Sequence, residues 1–157
     1  MEHFANHANV YVLLMGVIAA ICALQVNQNI ARKRATIDFV LHDMNSKEMD
    51  EAKAVMTLDK DALLDLSKKS SSGSAHRKLV LRLLNQYEFM AVGIREGAFD
   101  KKLMNRMKHS TVTRTFDKFE PFINSLRQEP DVNSTVFQDF EWLANSFKKM
   151  GLKANSK

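Results

Sequence analysis

The side chains best equipped for chemistry lie in one stretch, Asn85 to Asp100, which reads NQYEFMAVGIREGAFD. Tyr87, Glu88 and Arg95 bring a phenol, a carboxylate and a guanidinium together within about two helical turns. Glu88 shares a helical row with Leu84, Ala91 and Arg95, so its carboxylate starts from a largely apolar face and needs a partner. Arg95 lies a rise of about 10 Å further on, which makes a bridge from either residue to another helix easier than a direct pair. An ion pair of that kind normally fixes the packing of a bundle. A catalytic carboxylate would need a pocket and a second reacting group, and no second group is identifiable; an enzyme built around Glu88 and Arg95 is therefore the least favoured class. Gly93 and Gly97 each cost about 1 kcal/mol relative to alanine inside a helix, so a reason is expected for them. They let a neighbour approach closely or, at Gly97, end the helix.

Elsewhere the reactive residue types are scattered. His42, His76 and His109 have no metal-ligand or nucleophile–base spacing, and His3 and His7, four apart, sit in a short tail. The single cysteine, Cys22, lies in an apolar segment, so neither a disulfide within the chain nor a cysteine metal site is available. Gly-rich phosphate loops, G-x-S-x-G and H-E-x-x-H are missing. The expectation is a non-enzymatic protein with no catalytic residues, no bound metal and no cofactor.

The elements that position these residues begin with an anchor. From His3 to Ala31 there is no Lys, Arg, Asp or Glu, and Val10 to Leu24 reads VYVLLMGVIAAICAL. Residues 8 to 26 as a helix extend about 28 Å, close to the hydrocarbon thickness of a bilayer. Arg32, Lys33 and Arg34 follow the segment and Glu2 precedes it, the reverse of a cleaved signal peptide. By the positive-inside rule this arrangement predicts a single-pass signal-anchor with the N-terminus outside and the remainder cytoplasmic. Gly16 with Ala20, and Ala19 with Ala23, form small-xxx-small pairs through which two such helices can associate.

All 23 Lys and Arg residues lie at or after Arg32, against 17 acidic residues in the same part of the chain. The excess is concentrated between His76 and His109. Arg77, Lys78, Arg82, Lys101, Lys102, Arg106 and Lys108 would make one basic surface if the two helices that carry them turn back on each other. Such a surface suits anionic lipid near an anchor better than nucleic acid, since no helix-turn-helix pattern is evident.

Low Gly and Pro counts, 5 and 2, favour an all-α fold. The organisation expected is an external tail and transmembrane anchor over 1–30, a cytoplasmic bundle of about five or six helices over 31–150, and a disordered tail over 151–157. The anchor helix should run on past Ile30, with Ile30, Ile37, Leu41 and Met44 at helical spacing. A helix capped by Asn45-Ser46 follows, then a short one over Asp59 to Leu66 and a loop, KKSSSGS. The longest helix of the bundle, and its spine, should span Ser74 to Ala98. Asp100 should cap the next helix, Pro121 should kink or break another carrying Val112 to Leu126, and Asn133-Ser134 should cap the last, ended by Gly151. The aromatic residues Phe116, Phe119, Phe122, Phe137, Phe140, Trp142 and Phe147 read as core.

This layout resembles a bacterial and phage family of small membrane-anchored proteins catalogued only as a domain of unknown function. The likeness rests on Tyr87, Glu88, Gly93, Ile94, Gly97, Pro121 and Arg127 in YEFMAVGIREGAFD and FDKFEPFINSLRQE, and covers nearly all the chain after Ile30. It implies an inner-membrane setting and brings no catalytic residues. The expected partners are membrane lipid and a protein or second copy of the chain, for which the bundle would be a binding or scaffolding module.

Overall fold

The computed structural model describes residues 2–68 and 72–152, with side chains from Val10 onward. His3 and His7, the centre of the KKSSSGS loop and the tail after Leu152 therefore lie outside the described side chains or residues. Within them the chain is all-α, with six α-helices, one 3₁₀ turn and no strand.

Helix α1, Glu2–Asn45, is uninterrupted. Every side chain from Val10 to Arg34 is exposed, and the segment beginning at Val10 is long and apolar enough to cross a membrane. Only beyond Arg34 does one face become buried, through Thr36, Val40 and Asp43. Helix α2, Lys47–Lys53, starts where the Ser46 hydroxyl accepts from the Met49 N–H, and tightens into a 3₁₀ turn over Ala54–Thr57. Helix α3, Lys60–Ser67, is capped by Asp59, whose carboxylate accepts from the Ala62 N–H at 2.8 Å.

Helix α4, Ala75–Arg95, and helix α5, Lys101–Arg127, supply most of the core. Helix α6, Gln138–Met150, packs against both and inserts Phe140, Leu143, Ala144 and Phe147. Helix α3 packs chiefly on α5, and α2 on α4. The aromatic residues expected in the core are there, except Trp142, which is only half-buried at the rim.

Four expectations about elements need correction. The spine expected over Ser74 to Ala98 stops at Arg95, and at 21 residues it is shorter than α5 with 27. Its end is a Schellman turn: Gly97 has φ +71°, its N–H donates to the Ile94 carbonyl, and the Ala98 N–H donates to the Gly93 carbonyl at 2.8 Å. Ser74 precedes this helix, but its hydroxyl makes no capping bond. The two helices expected on either side of residue 110 are one, and Pro121 lies inside it without breaking it. The proline removes one N–H from the ladder, while Phe119, Phe122, Ile123 and Leu126 around it are all buried and hold the helical course. Lastly, α6 does not start at Asn133-Ser134. Asn133 instead accepts from the N–H and hydroxyl of Thr135, and the helix begins after Phe137, which adopts φ +58°.

The two glycines singled out by sequence have separate reasons. A Cβ on Gly93 would collide with the ring of Phe99, which is itself packed against Phe39 and Phe89. Gly97 supplies the left-handed conformation, and the guanidinium of Arg32 lies against it. Replacing Gly97 by alanine should cost about 1–2 kcal/mol from the backbone alone. Gly93→Ala should cost about 1–3 kcal/mol by displacing Phe99, less the gain in helix propensity. Thermal unfolding of the full chain measures both, and for Gly93→Ala a changed aromatic circular dichroism signal should accompany the loss.

Candidate functional site

The polar residues of α4 converge on the first turn of α6. That turn needs help, because Phe137 occupies the N-cap position and has no side chain able to accept a hydrogen bond. Glu88 provides it from a different helix: its carboxylate accepts from the Phe140 N–H at 2.6 Å and from the Asp139 N–H at 3.3 Å. Arg95, two turns along α4, pairs with Asp139 at 2.8 Å. On the far side, Arg127 donates to the Val136 carbonyl at 2.9 Å and to Glu141 at 2.8 Å. The start of α6 is thus held between α4 and α5 by Glu88, Arg95 and Arg127.

Tyr87 lies beneath this clasp. Its ring stacks on Phe140 with centroids 4.8 Å apart, and its hydroxyl accepts from Thr115 at 3.4 Å. Burial pushes the Tyr87 hydroxyl above its usual pKa, with the Thr115 bond acting the other way. Burial also pushes the Glu88 carboxyl above the ordinary glutamate value of 4.5, outweighing the two backbone N–H groups that favour its charged form. Above the clasp, Arg95 and Lys101 both lie over the ring of Trp142, at 4.6 and 4.8 Å from its centroid.

The seven residues expected to form one basic surface are not brought together. Arg77 is buried, and its guanidinium donates to the carbonyls of Leu66, Ser67 and Lys68, closing the C-terminal end of α3. Lys108 is also withdrawn from the surface, paired at 2.5 Å with Asp43 of α1, the two side chains being 11% and 7% exposed. Lys78 and Arg82 lie on the first half of α4, Arg82 facing Glu48. Lys101, Lys102 and Arg106 begin α5, beyond the far end of α4. The rise from Arg82 to Arg95 alone is about 20 Å, which separates the two groups.

The second group has different company. The Asp100 N–H donates to the Thr36 hydroxyl at 2.8 Å, and Arg32 lies against Gly97. The start of α5, which carries Lys101 and Lys102, therefore lies at the same end of the bundle as Arg32, Lys33 and Arg34, while the Lys101 ammonium itself is directed to Trp142. Sequence reasoning missed Thr36, Asp43, Asp139 and Trp142 as members of these arrangements. The signal available for Asp139 was its place among acidic residues at the start of a helix. His42 and His76 are exposed, while His109 bonds Asn105 and stacks on Phe147. Among the described residues no group of three or more His, Cys, Asp or Glu side chains is arranged to hold a metal ion.

Glu88→Gln should destabilise the chain by about 1 kcal/mol, and Glu88→Ala by about 2–3 kcal/mol, because alanine leaves both N–H groups unmet. The pH dependence follows from the raised pKa. Between 4.5 and the folded value the native chain binds more protons at Glu88 than the unfolded chain, so its stability falls as pH rises through that window. Urea unfolding of wild type and Glu88→Gln from about pH 4 to about pH 8 should give a difference that favours wild type most at the acid end.

Neither the curated proteins nor the solved structures give a match to this chain. A family model does: that described as "Domain of unknown function (DUF4760)" matches residues 10–147, from the apolar part of α1 through Phe147 in α6. Since the match takes in most of the chain, the clasp and the helix that carries the bundle are parts of one family unit, and the protein belongs to the DUF4760 family.

Proposed function

We propose that the protein is a single-pass, membrane-anchored scaffolding or binding module of the bacterial inner membrane, with its helical bundle on the cytoplasmic side. The observation that carries this reading is α1. One helix holds an apolar, wholly exposed stretch from Val10, then Arg32, Lys33 and Arg34, then the buried face of Thr36, Val40 and Asp43 that joins the bundle. No linker intervenes, so the bundle is held close to the bilayer at a fixed distance. The basic cluster orients the helix with the bundle inside.

Two features favour a non-catalytic role. Glu88, Arg95 and Tyr87 are each engaged in holding α6, and the remaining basic residues do not form a single groove for a substrate or a duplex. Lipid headgroups are the better counterpart for the exposed Lys102, since the start of α5 lies at the end of the bundle where α1 leaves its apolar segment. Nucleic acid would require the dispersed set of seven to act together.

A reporter fused after Lys157 should behave as cytoplasmic, and the chain should stay with membranes through an alkaline carbonate wash. A reporter signal from the opposite side would overturn the orientation, and release by carbonate would overturn the anchor. Replacing Arg32, Lys33 and Arg34 together by glutamate should lower the fraction in the predicted orientation.

A further inference from the structure

We infer that a second copy of this chain covers the exposed side of α1, in a parallel two-stranded coiled coil running from the apolar segment into the bundle. The inference rests on the reading of that segment as a membrane anchor. Beyond the bilayer, Ile30, Ile37, Leu41 and Met44 are 45%, 41%, 49% and 60% exposed, a large apolar stripe on a helix that already has a buried face. The buried face consists of Thr36, Val40 and Asp43. At about 100° per residue the stripe is centred roughly 100° around the helix from it, and its four side chains stay exposed, so the bundle leaves the stripe open.

The stripe has the period of a coiled coil. Taking Ile30, Ile37 and Met44 as the d positions of a heptad places Leu41 and Arg34 at a. Continued back along the same helix, the register places Leu13, Ala20 and Asn27 at a and Gly16 and Ala23 at d. One seam therefore extends from Leu13 to Met44, about 47 Å and about four and a half heptads, longer than the three or four that a stable coiled coil needs. A partner must be a helix of similar length that crosses the same bilayer and continues past it.

Two details select a copy of the chain itself. Asn27 falls at a, where an asparagine pairs with its own counterpart in a parallel, in-register, two-stranded coil. Lys33 falls at g and Asp38 at the following e, both exposed, so each Lys33 faces the Asp38 of the other copy, twice by symmetry. Arg34 at a is tolerated in two strands because its long side chain can reach out of the seam.

Cysteine cross-linking in native membranes tests this. In a Cys22→Ser background, Ile30→Cys, Ile37→Cys and Met44→Cys should each oxidise to a covalent dimer, several-fold more than Gln28→Cys and His42→Cys, which lie off the seam. Native Cys22, at c, should cross-link poorly. Equal yields at all positions, or a cross-linked species of another mass, would overturn the proposal. Lys33→Glu should weaken association on the order of fivefold, and adding Asp38→Lys should restore it; no recovery would overturn the in-register pairing. Carbonate extraction of the same membranes separates the two readings. A retained chain without cross-links rejects the dimer alone, whereas a released chain that still cross-links at Ile37→Cys rejects the anchor alone.

Discussion

Helices packed into a small bundle bring their ends close to one another, where free N–H and C=O groups lose water and must be met by protein. Here the partners come from other helices. Thr36 of α1 takes the Asp100 N–H before α5, Glu88 of α4 takes two N–H groups at the start of α6, and Arg77 of α4 takes three carbonyls at the end of α3. Asn105 of α5 donates to the Gly151 carbonyl past α6, and Lys53 of α2 donates to the Asp43 carbonyl near the end of α1. Each bond fixes both the position of a helix along its axis and its neighbour's, which apolar packing alone leaves free to slide. The core supplies most of the stabilisation, and these polar bonds set the alignment.

The same requirement explains how charge is distributed. A buried guanidinium or ammonium is stable only where oxygens surround it, which is why Arg77 lies among carbonyls and Lys108 against Asp43.

Much of this was legible in the sequence wherever the signal is local. Ser46, Asp59 and Asp100 cap the helices that follow them, Gly151 ends α6, and the 3.6-residue spacing of apolar residues marked where helices lie, though it divided α5 in two. What could not be read was non-local. Asn133-Ser134 carries the local sign of a helix start, but the actual start of α6 depends on a carboxylate 51 residues earlier in the chain. Pro121 carries the sign of a kink or a break, and α5 runs through it unbroken with buried Phe119 and Phe122 on either side. Arg77 and Lys108 look like any other surface cations until the tertiary fold supplies carbonyls and Asp43. For Glu88 and Arg95, an apolar helical row was enough to show that both needed partners, while α6 as the partner was visible only in three dimensions.

The absence of a joint between the apolar segment and the bundle makes α1 an angular ruler. A flexible tether would leave the bundle free to turn, but a continuous helix converts residue count into direction, each residue adding about 100° of rotation and about 1.5 Å of height. The number of residues from Ile30 to Thr36 therefore sets which side of the bundle faces the end of the apolar segment and how far from it the α4–α5 turn lies. One residue gained or lost there would leave composition and core nearly untouched and yet aim the module elsewhere. Such a segment is expected to tolerate substitution far better than a change in length.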